Sequence, residues 1–285
     1  MIAKHSIWIT GSGGLIGSHL LRIAPQFMPI SKAVGLTRPQ LDLTNFSAVK
    51  AAFQHEAPWL IIHCAALSKT ADCQTNPALA RKLNIEVTRI LAELAADIPL
   101  LFFSTDLVFD GRTGNYDESA APNPLSIYAE TKLAAERIVL ANPRHTVVRT
   151  SLNGGVSPAG NRGFNEEVRL AWQAGRSHRL FVDEFRSPIP ACVTARAIWK
   201  LAALDEPGLY HLAGSERLSR WQIGQLLAAR WPQLNPKLEP ASLKEYRGAP
   251  RAPDTSLNCA KVQKLLSFPL PGLTEWLAQN PDETF

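Results

Sequence analysis

The chain has 285 residues, of which 46% are hydrophobic and 19% are charged. This balance predicts a compact globular protein of one or two domains and excludes a disordered chain. The formal net charge of +5 suits an anionic substrate. Because no Lys/Arg-rich block with interleaved aromatic residues occurs, the charge does not predict nucleic-acid binding.

The cysteines and the apolar runs indicate where the protein is located. The four cysteines, Cys64, Cys73, Cys192 and Cys259, have no metal-ligand or CxxC spacing, so we expect reduced thiols and no metal. The N-terminal apolar run leads directly into a glycine loop, which is typical of a first strand and not of a signal peptide. No apolar stretch approaches the length that spans a membrane. We therefore predict a cytoplasmic protein that does not enter the membrane.

Short apolar runs alternate with amphipathic stretches through the first half of the chain. The predicted strands are Ile7–Thr10, Ala33–Thr37, Trp59–His63, Leu100–Phe103 and Thr146–Arg149. The predicted helices are Leu15–Ala24, Phe46–Glu56, Pro77–Ala96 and Tyr128–Leu140, the first of them stopped by Pro25. This alternation predicts an α/β fold with a doubly wound parallel sheet covered by helices on both faces.

The strand pattern weakens after residue 151, where glycine, proline and arginine become frequent. A helix at Thr194–Leu204 and a strand at Gly208–Leu212 are expected to return to the sheet. We therefore predict two lobes that are interwoven in sequence. The larger comprises residues 1–150 plus about 191–214, and the smaller C-terminal lobe comprises residues 151–190 plus 215–285.

A glycine-rich loop lies between the first predicted strand and the first predicted helix, with GxxGxxG spacing. In this context Gly11 permits a tight turn, Gly14 lets a pyrophosphate approach the backbone, and Gly17 lets the helix pack closely on the strand. Exposed amides at the helix start bind the anion. The pattern predicts a Rossmann-type dinucleotide site, and its expected contacts are Gly11, Ser12, Gly14, Leu15, Ile16 and Gly17.

The end of the second predicted strand bears on the choice of cofactor. It reads Leu36-Thr37-Arg38, without the acidic residue that often binds a ribose hydroxyl. Arg38 can instead pair with a 2′-phosphate, which favours NADP over NAD, although a solvated loop arginine is the alternative. Asp42, followed by Leu43, can accept from the adenine amino group or can be an ordinary turn aspartate. We expect NADP(H), with NAD possible.

Tyr128 and Lys132 are four residues apart on one face of a predicted helix. A free tyrosine, with a pKa of about 10, is a poor acid near neutrality. An ammonium about 4 Å away can lower that pKa by up to roughly 3 units, so the phenol can protonate a carbonyl that receives hydride. Thr105, at the carboxyl end of a buried strand, can hold the same carbonyl, whereas Ser104 is better explained as a strand-end cap.

Several motifs together resemble the extended short-chain dehydrogenase/reductases, and most closely the dTDP-4-dehydrorhamnose reductase branch. The segment Ser104–Gly111 is similar to the STDYVFDG segment of that branch. The other matching positions are Pro122–Tyr128 with Lys132 and Glu136, the strand end at His63–Ala66, the helix residue Asn84, and Arg251–Asn258. The resemblance spans nearly the whole chain.

The resemblance implies a catalytic set of Thr105, Tyr128 and Lys132, with Lys132 contacting the nicotinamide ribose. It also implies cofactor contacts from Cys64, Ala65, Ala66 and Asn84. The smaller lobe is then a substrate-binding lobe for a nucleotide-linked sugar. A homodimer is expected by the same resemblance.

The substrate-binding positions depart from the branch. Leu152 and Asn153 follow Ser151 where the family usually offers a tryptophan to the sugar. Arg186 and Arg251 are candidates for binding the diphosphate, and a plain surface arginine is the alternative for each. These departures leave the identity of the sugar open.

Three functions compete at this stage. The complete Thr-Tyr-Lys set favours an NAD(P)H-dependent keto reductase. A sugar-nucleotide epimerase shares the tyrosine and lysine, whereas a 4,6-dehydratase needs a glutamate where Leu107 follows Asp106. The third is a non-catalytic NADP-binding subunit resembling the regulatory subunit of methionine adenosyltransferase, which Arg186-Ser187-Pro188 faintly suggests.

Overall fold

The computed structural model describes residues 6–285, so the start of the N-terminal apolar run lies outside the described residues. The strands are β1 Ser6–Thr10, β2 Lys32–Leu36, β3 Leu60–His63, β4 Leu100–Thr105, β5 Thr146–Thr150, β6 Asn153–Gly154, β7 His178–Phe181, β8 Phe185–Arg186, β9 Ile189–Pro190, β10 Gly208–Leu212, β11 Leu218–Ser219 and β12 Leu238–Ala241. The helices are α1 Leu15–Phe27, α2 Phe46–Glu56, α3 Thr70–Thr75, α4 Pro77–Arg81, α5 Val87–Leu94, α6 Ile127–Leu140, α7 Phe164–Gln173, α8 Ala191–Leu204, α9 Arg220–Arg230, α10 Ala260–Gln263 and α11 Leu273–Gln279.

Six strands form one sheet in the order β10-β5-β4-β3-β1-β2, and every pair in it is parallel. The chain runs from β1 to β2 on one side and then returns to β3 on the other side of β1. Such a reversal opens a crevice at the carboxyl ends of the strands, where ligands bind in open α/β sheets. The predicted doubly wound Rossmann-type fold is confirmed.

The sheet has a separate apolar core on each face. Ile7 and Ile9 of β1 pack with α1 and α8, where the indole of Trp199 donates to the Leu20 carbonyl at 3.0 Å. Trp8, between them, points to the opposite face and packs with α2, α5 and α6. The alternation follows from the two-residue period of a strand, and it fixes which helices cover which face.

Three predicted helices differ from the structure by more than one residue. Helix α1 continues through Pro25 to Phe27, so the loss of one backbone hydrogen bond at the proline does not end the helix. The predicted helix Pro77–Ala96 is divided by a π-helical turn at Lys82–Glu86. Helix α8 begins at Ala191, earlier than expected, directly after Pro190.

The C-terminal half adds three small two-stranded sheets, β6 with β9, β7 with β12, and β8 with β11. Between them lies a further apolar cluster that includes Trp172, Leu227, Trp276 and Phe285. The strand β10 lies beside β5 at the edge of the main sheet. Among the described residues, no helix is both long and apolar enough to cross a membrane.

Candidate active site

A cleft of about 750 Å³ opens where the strands of the main sheet end. Its walls come from the ends of β1 to β5 and from segments beyond residue 150 that meet them. Most of the predicted site residues line it: Gly11, Gly14, Leu15, Ile16, Gly17, Arg38, Asp42, Leu43, Cys64, Ala65, Ala66, Thr105, Tyr128, Lys132, Leu152, Asn153 and Arg186. Three predicted residues, Ser12, Asn84 and Arg251, do not line it.

The glycine loop between β1 and α1 has the shape that a dinucleotide cradle requires. Gly11 has φ +69°, and a Cβ added there would lie 2.7 Å from the Ala65 backbone nitrogen. A Cβ at Gly17 would collide with the Gly11 carbonyl oxygen, so the helix packs closely on the loop only because residue 17 is a glycine. No side chain caps α1 and its first turn holds no acidic residue, which leaves the amides free for an anion. These residues fit a bound pyrophosphate.

Ser12 is buried behind this loop, against the second strand. A Cβ added at Gly35 of β2 would lie 2.9 Å from the Ser12 hydroxyl oxygen. The side chain therefore faces the strand and does not line the cleft, and a cofactor contact of Ser12 stays a prediction.

Arg38 and Asp42 lie at one end of the cleft, beyond β2. Their side chains approach to 3.6 Å, with 84% and 41% of their surfaces exposed. Asp42 accepts from the Thr44 amide at 2.9 Å and from its hydroxyl at 2.8 Å, and these bonds hold the pKa of the carboxyl below its usual value. Asp42 is thus a turn aspartate in this structure, whereas the guanidinium of Arg38 is free to turn toward a phosphate.

Asn84 holds the site together from outside the cleft. It lies in the π-helical turn, and its side-chain amide bonds both the nitrogen and the oxygen of Leu67, at 2.8 and 3.1 Å. The same amide donates to the Thr131 hydroxyl at 3.0 Å. The Asn84 side chain therefore clamps the loop after β3 to helix α6, and the cofactor contact expected from the resemblance stays a prediction.

The proposed acid and its neighbours meet at the ends of β4 and α6. Tyr128 lies in the first turn of α6, whose N-cap Ser126 accepts from Ala129 at 3.3 Å. Burial raises the pKa of Tyr128, the carboxylate of Asp106 raises it further, and the neighbouring hydroxyl of Thr105 opposes the rise. The phenol is therefore protonated near neutrality.

Lys132 does not act on the phenol as the sequence analysis expected. Its ammonium lies 3.9 Å from the centroid of the Phe102 ring, and it is not a cause of the Tyr128 pKa shift. Burial lowers the pKa of Lys132 to about 7, against the opposing effects of Glu136 and Cys64. The predicted lowering of the tyrosine pKa was wrong, because burial of the phenol and the nearby carboxylate of Asp106 raise that pKa instead.

Asp106 is a site residue whose role the sequence did not reveal. Its carboxylate accepts from the hydroxyls of Thr105, Ser151 and Thr255 at 3.1, 2.8 and 2.8 Å. The Arg186 Nε atom lies 3.7 Å away. No sequence pattern could have identified these bonds, because two of the partners are 45 and 149 residues distant. This buried carboxylate joins the end of β4 to the C-terminal half of the chain.

Three arginines surround the single carboxylate of Glu184, which is fully buried. Arg186 lies at 3.0 Å, Arg220 at 3.0 Å, and Arg251 donates at 2.9 Å. Burial alone would raise the pKa of Glu184, but Arg220, Arg186 and Arg251 together lower it to about 2. Arg186 and Arg220 line the cleft, whereas the predicted Arg251 lies behind it.

Further cleft residues lie beyond β5. Asn153 is anchored inward, donating to the Thr150 hydroxyl at 2.9 Å and accepting from Thr194 at 2.6 Å, so Leu152 is the freer of the two predicted substrate contacts. Sequence reasoning missed Arg162 and Phe164, which line the cleft from the start of α7, as well as Arg220. The frequency of arginine after residue 151 was the only signal for the two arginines, and no signal indicated Phe164.

A family model described as the RmlD substrate binding domain matches residues 5–283. The chain belongs to that family. A dTDP-4-dehydrorhamnose reductase of Sinorhizobium fredii is 29% identical over 282 residues, covering 94% of this chain and 93% of that protein. Methionine adenosyltransferase 2 subunit beta of Xenopus laevis is 28% identical over 271 residues, covering 90% of this chain and 81% of that protein. The crystal structure of a dTDP-4-dehydrorhamnose reductase from Bacillus anthracis, in complex with NADP, superposes with a TM-score of 0.86 at 25% identity, covering 97% of this chain and 98% of that one.

Proposed function

We propose that the chain is an NADPH-dependent reductase of a keto group on a nucleotide-linked deoxysugar, similar to dTDP-4-dehydrorhamnose reductase. The observation that carries the proposal is the meeting of Thr105, Tyr128 and Lys132 in the same cleft as the glycine cradle. The reductase from Sinorhizobium fredii and the NADP-bound neighbour from Bacillus anthracis support it. The family resemblance predicted from the sequence is confirmed by the matching model.

The residues that would hold NADPH lie along one side of the cleft. The first-turn amides of α1 would bind the pyrophosphate, and Arg38 would pair with the 2′-phosphate. Cys64, Ala65 and Ala66 would form the wall beside the nicotinamide half, and Lys132 would contact its ribose. The bound nicotinamide supplies the hydride.

Proton transfer falls to Tyr128. Its raised pKa keeps the proton on the phenol until negative charge develops on the substrate oxygen. Thr105, now donating to Asp106 at 3.1 Å, turns to donate to the same oxygen and holds it beside the phenol. Asp106 keeps two further hydroxyl donors, so the exchange does not leave its carboxylate unpartnered.

The substrate would lie against the smaller lobe, residues 151–190 plus 215–285, with residues 1–150 plus about 191–214 forming the dinucleotide-binding lobe. Arg220 would offer positive charge to a diphosphate, the buried Arg186 would support it through their shared partner Glu184, and Leu152 would border the sugar. We propose dTDP-rhamnose biosynthesis as the pathway. A homodimer and a cytoplasmic location stay predictions.

The competing functions are less well supported. The subunit beta relative is as similar in sequence as the reductase, but this chain covers 81% of its length against 93% of the reductase. A purely regulatory role also gives no reason for Thr105, Tyr128 and Lys132 to meet in the cleft, because a subunit that only binds NADP needs no catalytic residues. In place of a dehydratase base the chain has Leu107, and the preceding Asp106 already accepts three hydrogen bonds.

The test is titration of the purified protein with NADPH and with NADH, followed by a 4-keto-6-deoxy dTDP-sugar. Loss of reduced-cofactor absorbance is expected with the keto sugar and not with dTDP-glucose, which has no keto group. Tight NADPH binding without oxidation by the keto sugar would overturn the proposal and favour the binding-subunit reading.

Arg38→Gln is expected to raise the KM for NADPH about tenfold and to leave the KM for NADH unchanged. Only NADPH carries the 2′-phosphate, and the exposed Arg38 guanidinium is the nearest cleft cation beyond β2. Steady-state rates with each cofactor measure the effect. An equal rise for both cofactors would show that Arg38 does not read the 2′-phosphate.

A further inference from the structure

A loop of the C-terminal half, residues 155–163, packs on the helix that carries the glycine cradle. His19 of α1 bonds the Val156 carbonyl at 3.2 Å. A Cβ added at Gly163 would lie 3.3 Å from Leu15 Cδ2, and one added at Gly155 would lie 3.4 Å from Leu15 Cδ1. Leu15 is the first residue of α1, so the 155–163 loop lies against the same turn whose free amides face an anion.

The backbone of this loop is held by side chains of α7. The buried carboxylate of Glu166 accepts from the amides of Ser157, Arg162 and Gly163 at 2.7, 2.7 and 2.9 Å. Asn165 bonds the oxygen of Gly155 at 2.8 Å and its nitrogen at 3.3 Å. The position of the Arg162 backbone is therefore fixed, and only its side chain is free to move.

Arg162 differs from the other cations of the cleft, which are Arg38, Lys132, Arg186 and Arg220. Each of those contacts a carboxylate or an aromatic ring. The side chain of Arg162 is exposed, and it forms no ion pair or hydrogen bond with the part of the chain that the structure describes. A free guanidinium on a fixed backbone is suited to bidentate binding of a phosphate.

We propose that Arg162 is a diphosphate-binding residue of the cleft. The inference rests on the proposed function. It adds a binding residue that lies outside both the motifs of the family resemblance and the glycine cradle. Its neighbour Gly163 lies beside Leu15 on the cofactor side, and the Arg220 guanidinium carbon lies 4.7 Å from the centroid of the Phe164 ring on the substrate side. The shared chemistry is a diphosphate, which NADPH and a nucleotide sugar both carry.

Arg162→Gln tests the proposal, with Arg176→Gln as the matched control. Arg176 is an exposed arginine just after α7, outside the cleft lining, so the control makes the same change of charge. Binding of NADPH, NADH and dTDP is measured separately for each protein. Arg162→Gln is expected to weaken binding of its diphosphate about tenfold, and Arg176→Gln to leave all three unchanged.

The three probes identify which diphosphate Arg162 binds. Equal weakening of NADPH and NADH with unchanged dTDP binding assigns it to the cofactor, and the reverse assigns it to the nucleotide sugar. Arg162→Lys should recover part of the loss, because a lysine keeps the charge without the planar fork. Melting curves verify that the variants are folded.

Unchanged affinities for all three probes in folded Arg162→Gln would overturn the proposal. The readout is binding, so it does not depend on turnover. If the wild-type protein binds NADPH but does not oxidise it with the keto sugar, the reductase proposal fails while the comparison of Arg162 with Arg176 still decides this one. Failure of the wild-type protein to bind any of the probes would overturn both.

Discussion

Tyr128→Phe is expected to lower kcat for keto reduction by about 100- to 10,000-fold, the usual contribution of a positioned acid. The substitution removes only the phenolic oxygen, and the ring remains in its buried position beside Cys73 and Ala80. The developing alkoxide then has Thr105 as a hydrogen-bond donor but no adjacent acid. The measurement is the single-turnover rate of NADPH oxidation at saturating keto sugar.

Tyr210→Phe is the matched control for this experiment. Tyr210 is another buried tyrosine, on β10 and outside the cleft lining, so loss of its hydroxyl should leave kcat unchanged. The affinity of Tyr128→Phe for NADPH should stay within about twofold of wild type, since the phenol binds no phosphate. Full reductase activity in folded Tyr128→Phe would show that another group supplies the proton.

The parts of the structure that local sequence determines were predictable. A strand or helix reveals itself by the period of its apolar residues, as in α2 at Phe46–Glu56 and β10 at Gly208–Leu212, where prediction and structure agree. The cradle was predictable for a related reason. The left-handed φ of Gly11 and the close approach at Gly17 are conditions that glycine alone meets.

The partners of the polar side chains were not predictable, because they depend on contacts between distant segments. Asn84 matches a motif position, yet its side-chain amide forms hydrogen bonds with Leu67 and Thr131. Arg251 also lay in a motif, and the structure pairs it with Glu184, 67 residues away. Their motifs thus predicted that Asn84 and Arg251 lie near the site, but not which residues they contact.

Lys132 shows the same limit within the catalytic set. Its spacing from Tyr128 placed both on one helical face, which the structure bears out. The direction of the long side chain is set by Phe102 on the adjacent strand, and nothing in the helix sequence contains that information. The four-residue spacing therefore predicted that Tyr128 and Lys132 belong to the same site, but it did not predict the effect of the ammonium on the pKa of the phenol.

Glu184→Gln is expected to lower the free energy of unfolding at pH 7 by about 3–5 kcal/mol, the usual cost of breaking a buried ion pair from one side. The carboxylate is fully buried and is the shared partner of Arg186, Arg220 and Arg251. A neutral amide leaves those guanidinium groups facing one another, two of them in the cleft wall. Urea unfolding of the variant and the wild type measures the difference.

The control is Glu245→Gln, which breaks an exposed pair with Arg179 at 3.7 Å and should cost less than about 1 kcal/mol. An unfolding free energy for Glu184→Gln equal to that of wild type would show that the arginines reach other partners at no cost.

The same carboxylate gives the wild-type protein a specific acid sensitivity. The pKa of Glu184 falls from 4.5 to about 2 on folding. A carboxyl whose pKa is lower in the folded state stabilises that state fully above its unfolded pKa, and this contribution is lost as pH falls toward the folded value. The loss, about 3 kcal/mol, should therefore occur between pH 4.5 and about 2. The glutamine variant has no carboxyl at position 184 to protonate, so the difference in unfolding free energy between variant and wild type should shrink across this pH window. If that difference is the same at pH 7 and at pH 3, the acid sensitivity belongs to other carboxylates.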